Sequence, residues 1–427
     1  MLKAGTALVD ISPKPGVTLA GYPHCPRPNV GVHDPLYAAV LYLDNGTTRH
    51  AFVTLDLLSI GKSMVRRLRS KFDFSLTIST SHTHSGPWAS EPLASELAEG
   101  FGPEPAYLVF LEERIEAAIR EATASTFPAT FATGIGHCGA EQGVGGNRRE
   151  QGGLQDPSVN VIAVRDASGA VRAVSLTYAL HPTFLHAENE HVSADYPAYI
   201  RRYLKFAYPE AVFLFAQGTS GDQSSRYHRV GQNFEEAARV GTTLGVEVFH
   251  TISQMTFSDQ LSMRVETLEL ADVPMKTFPP LEEALEAERA AVATFEASKD
   301  KDYITMRNAE LAMFGAQNTV GFSRVHQQGY KSPELPLESQ LIQLNDTIVV
   351  TIQPEMFVEL GLAIKAGSPA AKTFVLETAN GYAPGYLYTI AAGIEGGYEV
   401  GTSMFAPEAG ETLVTKITEK LTCLNSK

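Results

Sequence analysis

Residues 37–57 read YAAVLYLDNGTTRHAFVTLDL: two apolar runs, 37–44 and 49–57, joined through Asn45-Gly46. Asn-Gly readily takes the positive φ values of a tight reversal, so this stretch is expected to form a β-hairpin. The same grammar recurs outward from it. Residues 159–165 and 171–180 flank Asp166-Ala167-Ser168-Gly169, and residues 340–353 turn at Asn345-Asp346, which makes a second and a third hairpin. Further strands are expected at 74–79, 130–134, 211–216, 262–270 and 372–378. Helical spacing marks 62–72, 105–125, 194–206 and 233–253, and the tail from Glu411. After a linker at 274–280, the acidic pattern from 281 to 314 reads as one long helix or two hairpinned helices at the surface. Strands and helices mix irregularly, which points to an α/β class with mixed α+β layers in place of a regular βαβ array.

Composition narrows the function. The 427 residues are 44% hydrophobic and 19% charged, enough apolar material for a large core. A net charge of -14 argues against a nucleic-acid partner, because phosphate binding draws on clustered Lys and Arg. Three scattered cysteines, Cys25, Cys138 and Cys423, form no CxxC pair, so neither a thiolate zinc site nor a disulfide framework is suggested. The N-terminal MLKAGTALVDISPKPG has no long apolar run, and no stretch approaches the roughly 18 apolar residues of a membrane helix. The expectation is a cytoplasmic protein without signal peptide or transmembrane segment; its oligomeric state is left open.

The chemistry gathers where strands end. Several expected strands run into polar, Gly- or Pro-rich segments that carry His, Asp, Glu or Tyr, and such segments can converge at one rim of a sheet. In Ser81-His82-Thr83-His84-Ser85-Gly86-Pro87 the two histidines face one side of an extended segment, so both imidazoles can reach one site; the alternative is a pair of satisfied polar histidines in a loop. His181 follows the strand at 171–180, with His186 and His191 beyond, but the spacing is not H-E-x-x-H. Gly218-Thr219-Ser220-Gly221-Asp222 can offer backbone N–H groups to an anion or be a plain strand-to-helix turn. Residues 134–139 match G-x-G-x-x-G formally, but the glycine-rich polar run behind them is no helix, and the match reads as chance. Glu355 and Tyr386, taken singly, read as a first-turn residue and a packing residue.

Taken together and in order, these segments resemble the neutral/alkaline (non-lysosomal) ceramidase family over nearly the whole chain. The resemblance rests on Gly5 to Pro13, Leu19-Ala20-Gly21-Tyr22, Val32 to Tyr37, Thr54 to Leu58, Ser81 to Pro87, Asn147-Arg148, His181, Gly221-Asp222, Glu355 and Gly385-Tyr386. His-Thr-His-Ser-Gly-Pro is its most specific piece. Glu355 follows Pro354 directly, where the family has Pro-Gly-Glu. The resemblance implies a single large ceramidase-type catalytic domain over 1–427, with mixed sheets and hairpins and with 281–318 as a surface helical insertion. The chain runs about 40 residues past Tyr386, so the C-terminal β-sandwich-like domain of full-length relatives is expected to be absent.

It further implies one zinc ion held by His82, His181, Glu355 and Tyr386, with His84, Arg148 and Asp222 as the catalytic set. A metal-activated water would attack the amide carbonyl of an N-acyl compound, ceramide-like or a related N-acyl amine. The metal with His84 or Arg148 would stabilise the oxyanion. A histidine or carboxylate, His84 first, would protonate the leaving amine. Two alternatives stand beside this reading: a zinc-dependent esterase, lactonase or small-amide hydrolase with a non-lipid substrate, and a non-catalytic metal-binding module.

Overall fold

The computed structural model describes residues 1–22, 25, 27–90, 102–327, 335–383 and 385–425. The hairpin of residues 37–57 forms, and its burial explains its composition. Strand β1 (Lys3–Asp10) pairs antiparallel with β2 (Tyr37–Asp44), β2 antiparallel with β3 (Arg49–Leu55), and β3 parallel with β4 (Ser75–Thr80). At the reversal, Asn45 and Gly46 hold φ values of 55° and 89°. Along β2, Ala38, Val40 and Tyr42 enter one hydrophobic cluster, while Ala39, Leu41 and Leu43 enter another. Side chains alternate with a period of two, so a strand that serves two cores is apolar at every position.

Strands β5 (Phe127–His137), β6 (Ser158–Asp166), β7 (Val171–Tyr178) and β8 (Val212–Gln217) complete an eight-stranded sheet ordered β8-β7-β6-β5-β1-β2-β3-β4. A four-stranded sheet of β9 (Met263–Leu270), β10 (Leu337–Leu344), β11 (Thr347–Thr351) and β12 (Lys372–Leu376) packs face to face on it, with Phe131, Ile162 and Leu214 against Ile342, Val349 and Phe374. Helices α1 (Lys62–Arg69), α2 (Pro105–Ala124), α3 (Tyr196–Ala207) and α4 (Phe234–Gln254) cover the outer face of the large sheet. Between β9 and β10 the chain makes a helical hairpin, α5 (Leu281–Glu296) and α6 (Tyr303–Gln327). Beyond it come α7 (Val358–Gly367), the short α8 (Ile390–Glu395) and α9 (Tyr398–Gly401), and α10 (Ala409–Asn425). Leu360 and Ile364 of α7 and Leu413, Ile417 and Leu421 of α10 cover the outer face of the small sheet, beside Val350 and Val375. The result is a four-layer helix–sheet–sheet–helix stack, within the mixed α/β class read from the sequence. Among the described residues no helix is long and apolar enough to cross a membrane.

Two elements differ from the sequence reading. The strand expected at 130–134 spans Phe127–His137. Its glycines hid its length, and packing requires them: a Cβ on Gly136 would lie 2.2 Å from Thr251 Oγ1 and 2.4 Å from Glu247 Oε1 of α4. The formal G-x-G-x-x-G is therefore a strand packed closely against a helix. The acidic segment resolves into two helices, and the second continues to Gln327, past position 318. It is also more than surface, since α6 lines the cleft described below.

His50, buried between β3 and β4, gives the fold a pH dependence away from the site. Its Nδ1 lies 2.7 Å from Ser75 Oγ and its Nε2 3.2 Å from Thr77 Oγ1. Burial, with Arg69 adding to it, pushes its pKa down to about 3. The unfolded chain binds this proton near pH 6.5, so the stabilisation is fully present above that pH and is lost as pH falls toward the folded value. Stability measured by urea unfolding should fall through His50 by up to about 1.4 kcal/mol per pH unit between pH 6 and 4. The His50→Asn variant should lack that component, and equal slopes in the two proteins would exclude it.

Candidate metal centre

Strand ends from both sheets meet at one rim. Strand β4 runs into His82, whose backbone takes φ 64° and donates its N–H to Leu57 O at 2.9 Å. A left-handed φ on a histidine is costly and persists only where its surroundings hold it. Past β7 comes His181, and past β8 comes the loop of Ser220 and Asp222. From the other side, Glu355–Met356 pairs in parallel with Tyr386–Leu387, and Glu355 stands opposite Tyr386 in the register. Gly385 makes that pairing possible: it sits at φ 96°, and a Cβ there would lie 2.6 Å from Ser403 Cα. Its neighbour Pro384 lies outside the described residues.

The three imidazoles share one arrangement. His82 Nδ1 is 2.9 Å from Leu58 O, His181 Nδ1 is 2.8 Å from Ser220 O, and His84 Nδ1 is 3.1 Å from Gly21 O. A carbonyl accepts only, so each Nδ1 carries the hydrogen and each neutral ring turns an Nε2 lone pair inward. Glu355 Oε2 lies 3.0 Å from His181 Nε2 and 3.3 Å from His82 Nε2. His84 Nε2 is buried without a hydrogen-bond partner among the described residues. One ligand atom from each of the three rings lies within 4.8 Å of the others. Converging lone pairs around a buried carboxylate repel one another unless a cation sits between them, so this donor set fits a metal ion. Nitrogen and oxygen donors of this kind suit zinc.

The titration directions say the same. Burial would raise the Glu355 pKa, yet His82 and His181 outweigh it and hold it well below the carboxylate range. At His82 burial opposes charge, but Glu355 outweighs it and raises the pKa. For His181, burial and then Arg148 push the value down to about 4. Burial, with His82 and His181 beside it, holds His84 well below its ordinary range. Burial and then Glu355 drive Tyr386 far above the usual phenol value.

Arg148 stands at the wall. Its Nε donates to Glu399 Oε1 at 2.8 Å, its Nη2 donates to Gly221 O at 2.7 Å, and its guanidinium carbon is 5.5 Å from the Tyr386 ring centroid. Asp222 has a holding position: Oδ1 accepts from Val358 N and Oδ2 from Asn147 Nδ2, both at 2.9 Å, while its carbonyl accepts the Arg148 N–H at 2.8 Å. The loop before it offers no pair of glycine amides to an anion, since Gly218 N and Gly221 N donate to Tyr178 O and Met356 O, each at 2.8 Å. His186 sits at the mouth with Nδ1 3.0 Å from Glu188 Oε2, and His191 is exposed on a short strand. His181 is thus the histidine of this group that joins the cluster.

Two solved structures share this fold across the entire chain. The neutral ceramidase of Pseudomonas aeruginosa superposes with a TM-score of 0.76 at 18% identity, over 100% of this chain and 74% of that one. A ceramidase complexed with C2 gives a TM-score of 0.75 at 16% identity, over 100% of this chain and 75% of that one. The chain has the neutral ceramidase fold. No family model and no curated protein matches its sequence.

Within this ceramidase fold the structure adds residues that the sequence did not single out. Tyr398 lines the cleft, its ring 6.1 Å from that of Tyr386. Glu399 holds both Arg148 and Arg149 Nη1, the latter at 2.9 Å. The adjacent Gly396-Gly397, both at positive φ, was the one local signal that this turn is specialised. Glu377 is buried behind the histidine cluster. Its Oε1 accepts from Ser220 Oγ and its Oε2 from Met356 N, both at 2.6 Å. It thereby ties the carbonyl that orients His181 to the residue next to Glu355. Burial and then the Glu355 charge push its pKa up to about 8.

Proposed function

We propose that this chain belongs to the neutral ceramidase family and is a zinc-dependent hydrolase that cleaves the amide bond of an N-acyl compound. One observation carries the reading: three imidazoles pinned at Nδ1 by backbone carbonyls turn their Nε2 atoms toward one point beside a buried carboxylate. The likeness to ceramidase structures supports the reaction class. His82, His181, Glu355 and Tyr386 would hold the metal. When bound, zinc lowers the pKa of a coordinated water toward about 7 and polarises a carbonyl.

The remaining work falls to the chain itself. Neutral His84, with Nε2 unpartnered, is poised to take a proton and return it to the departing amine nitrogen. Arg148, oriented by Glu399 and the Gly221 carbonyl, offers its positive charge to the oxygen of the scissile carbonyl. We assign Asp222 to the support of Arg148 in place of proton transfer, because both its carboxylate oxygens already accept hydrogen bonds. An unpartnered Nε2 in the cleft also has no purpose in a closed structural site.

Purified protein should contain about one zinc per chain by elemental mass spectrometry. It should hydrolyse N-acyl amines in a series of increasing chain length more efficiently than the matched esters. Full activity in a metal-free preparation, or ester and lactone turnover with no amide turnover, would overturn the proposal.

A further inference from the structure

The cleft above the candidate metal centre, about 980 Å³, is densely charged, with seven carboxylates among its lining residues. Against a net charge of -14, five arginines line it: Arg148, Arg149, Arg226, Arg229 and Arg307. Most of the charge is compensated within the wall. Glu399 takes Arg148 and Arg149, Glu395 also takes Arg149, Glu310 takes Arg307, and Glu188 lies on His186. Three acidic side chains of the wall, Glu150, Asp222 and Glu359, have no ion pair among the described residues; Asp222 accepts hydrogen bonds from Asn147 Nδ2 and Val358 N instead. Glu150 is exposed, and Glu359 occupies the first turn of α7, where the helix N-terminus favours negative charge.

Arg226 is different. The one hydrogen bond of its guanidinium runs from Nη1 to Arg148 O at 2.9 Å, and no carboxylate of the described residues pairs with it. Its charge therefore stands on the cleft wall beside Arg148, exposed and with its other donors open to solvent. Partial desolvation by the cleft wall and then the neighbouring Arg148 push its pKa down, although the residue stays solvent-exposed. A guanidinium with free donors beside a reaction site is a receptor for an oxyanion, which it can bind through two parallel hydrogen bonds. Long apolar chains need the opposite, a wall of hydrocarbon. The apolar members here, such as Leu154, Leu311 and Phe357, are interleaved with charges around the cleft.

We propose that the scissile amide carries an oxyanion, a carboxylate or its equivalent, on one of its two halves, and that Arg226 receives it. This rests on the hydrolase reading above. Water adds across the C–N bond: a C–O bond forms, the C–N bond breaks, and the proton released from water ends on the amine. The products are a carboxylic acid and an amine, one of which bears the additional anion.

The test compares matched pairs on the zinc-loaded protein. N-dodecanoylglycine against N-dodecanoylglycinamide places the charge on the amine half; N-dodecylsuccinamic acid against its methyl ester places it on the acyl half. In one of the pairs kcat/KM should favour the anion about ten- to a hundredfold, the scale of a charge-assisted hydrogen bond. The ratio should shrink toward one in Arg226→Ala and in high salt. Taking the ratio cancels any disturbance of Arg148 in the variant. Equal or better turnover of the neutral member in both pairs overturns the proposal, as does a ratio unchanged in Arg226→Ala. If no amide is hydrolysed, the reading of the reaction falls, and the arginine is decided separately by calorimetry. N-acetylglycine and succinate binding more tightly than N-acetylglycinamide, with the difference lost in Arg226→Ala, upholds the receptor; equal binding overturns it.

Discussion

Glu355→Gln should release the zinc and abolish hydrolysis together. Gln keeps the shape of the side chain and removes its charge, so the change isolates the electrostatic role. In the structure Glu355 Oε2 lies 3.0 Å and 3.3 Å from two imidazole nitrogens whose other ring nitrogens bond to backbone carbonyls. That leaves Glu355 as the anion facing both nitrogens, and a divalent cation loses its strongest electrostatic partner when the anion is neutralised. Loss of a merely supporting residue costs about 10- to 100-fold in metal affinity, and loss of a ligand should exceed that. We expect zinc affinity, measured by chelator competition, and kcat/KM each to fall by more than about a hundredfold. The fold should survive, because Gln keeps the volume and shape of the side chain; circular dichroism checks this. One zinc per chain with activity within about tenfold of the parent would remove Glu355 from the ligand set.

His84→Gln should do the reverse, keeping zinc while losing turnover. His84 reaches the same centre as His82 and His181, but Glu355 contacts the other two rings. Its Nε2 has no partner among the described residues, and its place depends on Gly21, where a Cβ would lie 2.5 Å from the ring at φ 94°. A positioned general acid–base contributes about 10²- to 10⁴-fold, and kcat should fall by that order while bound zinc stays near one per chain. Zinc lost from His84→Gln and retained in His82→Gln would reverse the roles within the H-x-H pair. That division rests on the family resemblance, since both rings point at one site from a single short segment.

Much of the fold was legible because local chemistry encodes it. Asn45-Gly46 announced a reversal through the φ values it takes, and the runs beside it were apolar because β2 serves two cores. The helix read at 233–253 forms as α4, and the structure shows Asn233 as its cap, its side chain accepting the Glu236 N–H at 3.0 Å. The strand through Gly134 and Gly136 was read too short because its glycines answer to α4, a long-range neighbour that no local window contains.

By itself, then, the sequence determined the residue types, the turns and the faces of its strands, together with an ordered set of motifs that resembles the neutral ceramidase pattern. Those are short-range properties, set by φ preferences and by the periods of helix and strand. Tertiary structure alone decided which ends meet. Glu355 and Tyr386 are 31 positions apart, and only a two-residue parallel pairing puts them side by side. Glu377 reaches Ser220 and Met356 because the large and small sheets stack and bring β8 and β12 to one rim. Arg226 became a candidate receptor only when its guanidinium was seen to make one hydrogen bond and no ion pair among the described residues. Pairings of this kind depend on the closure of the whole core, which couples residues hundreds of positions apart and leaves no trace in the spacing of any single segment.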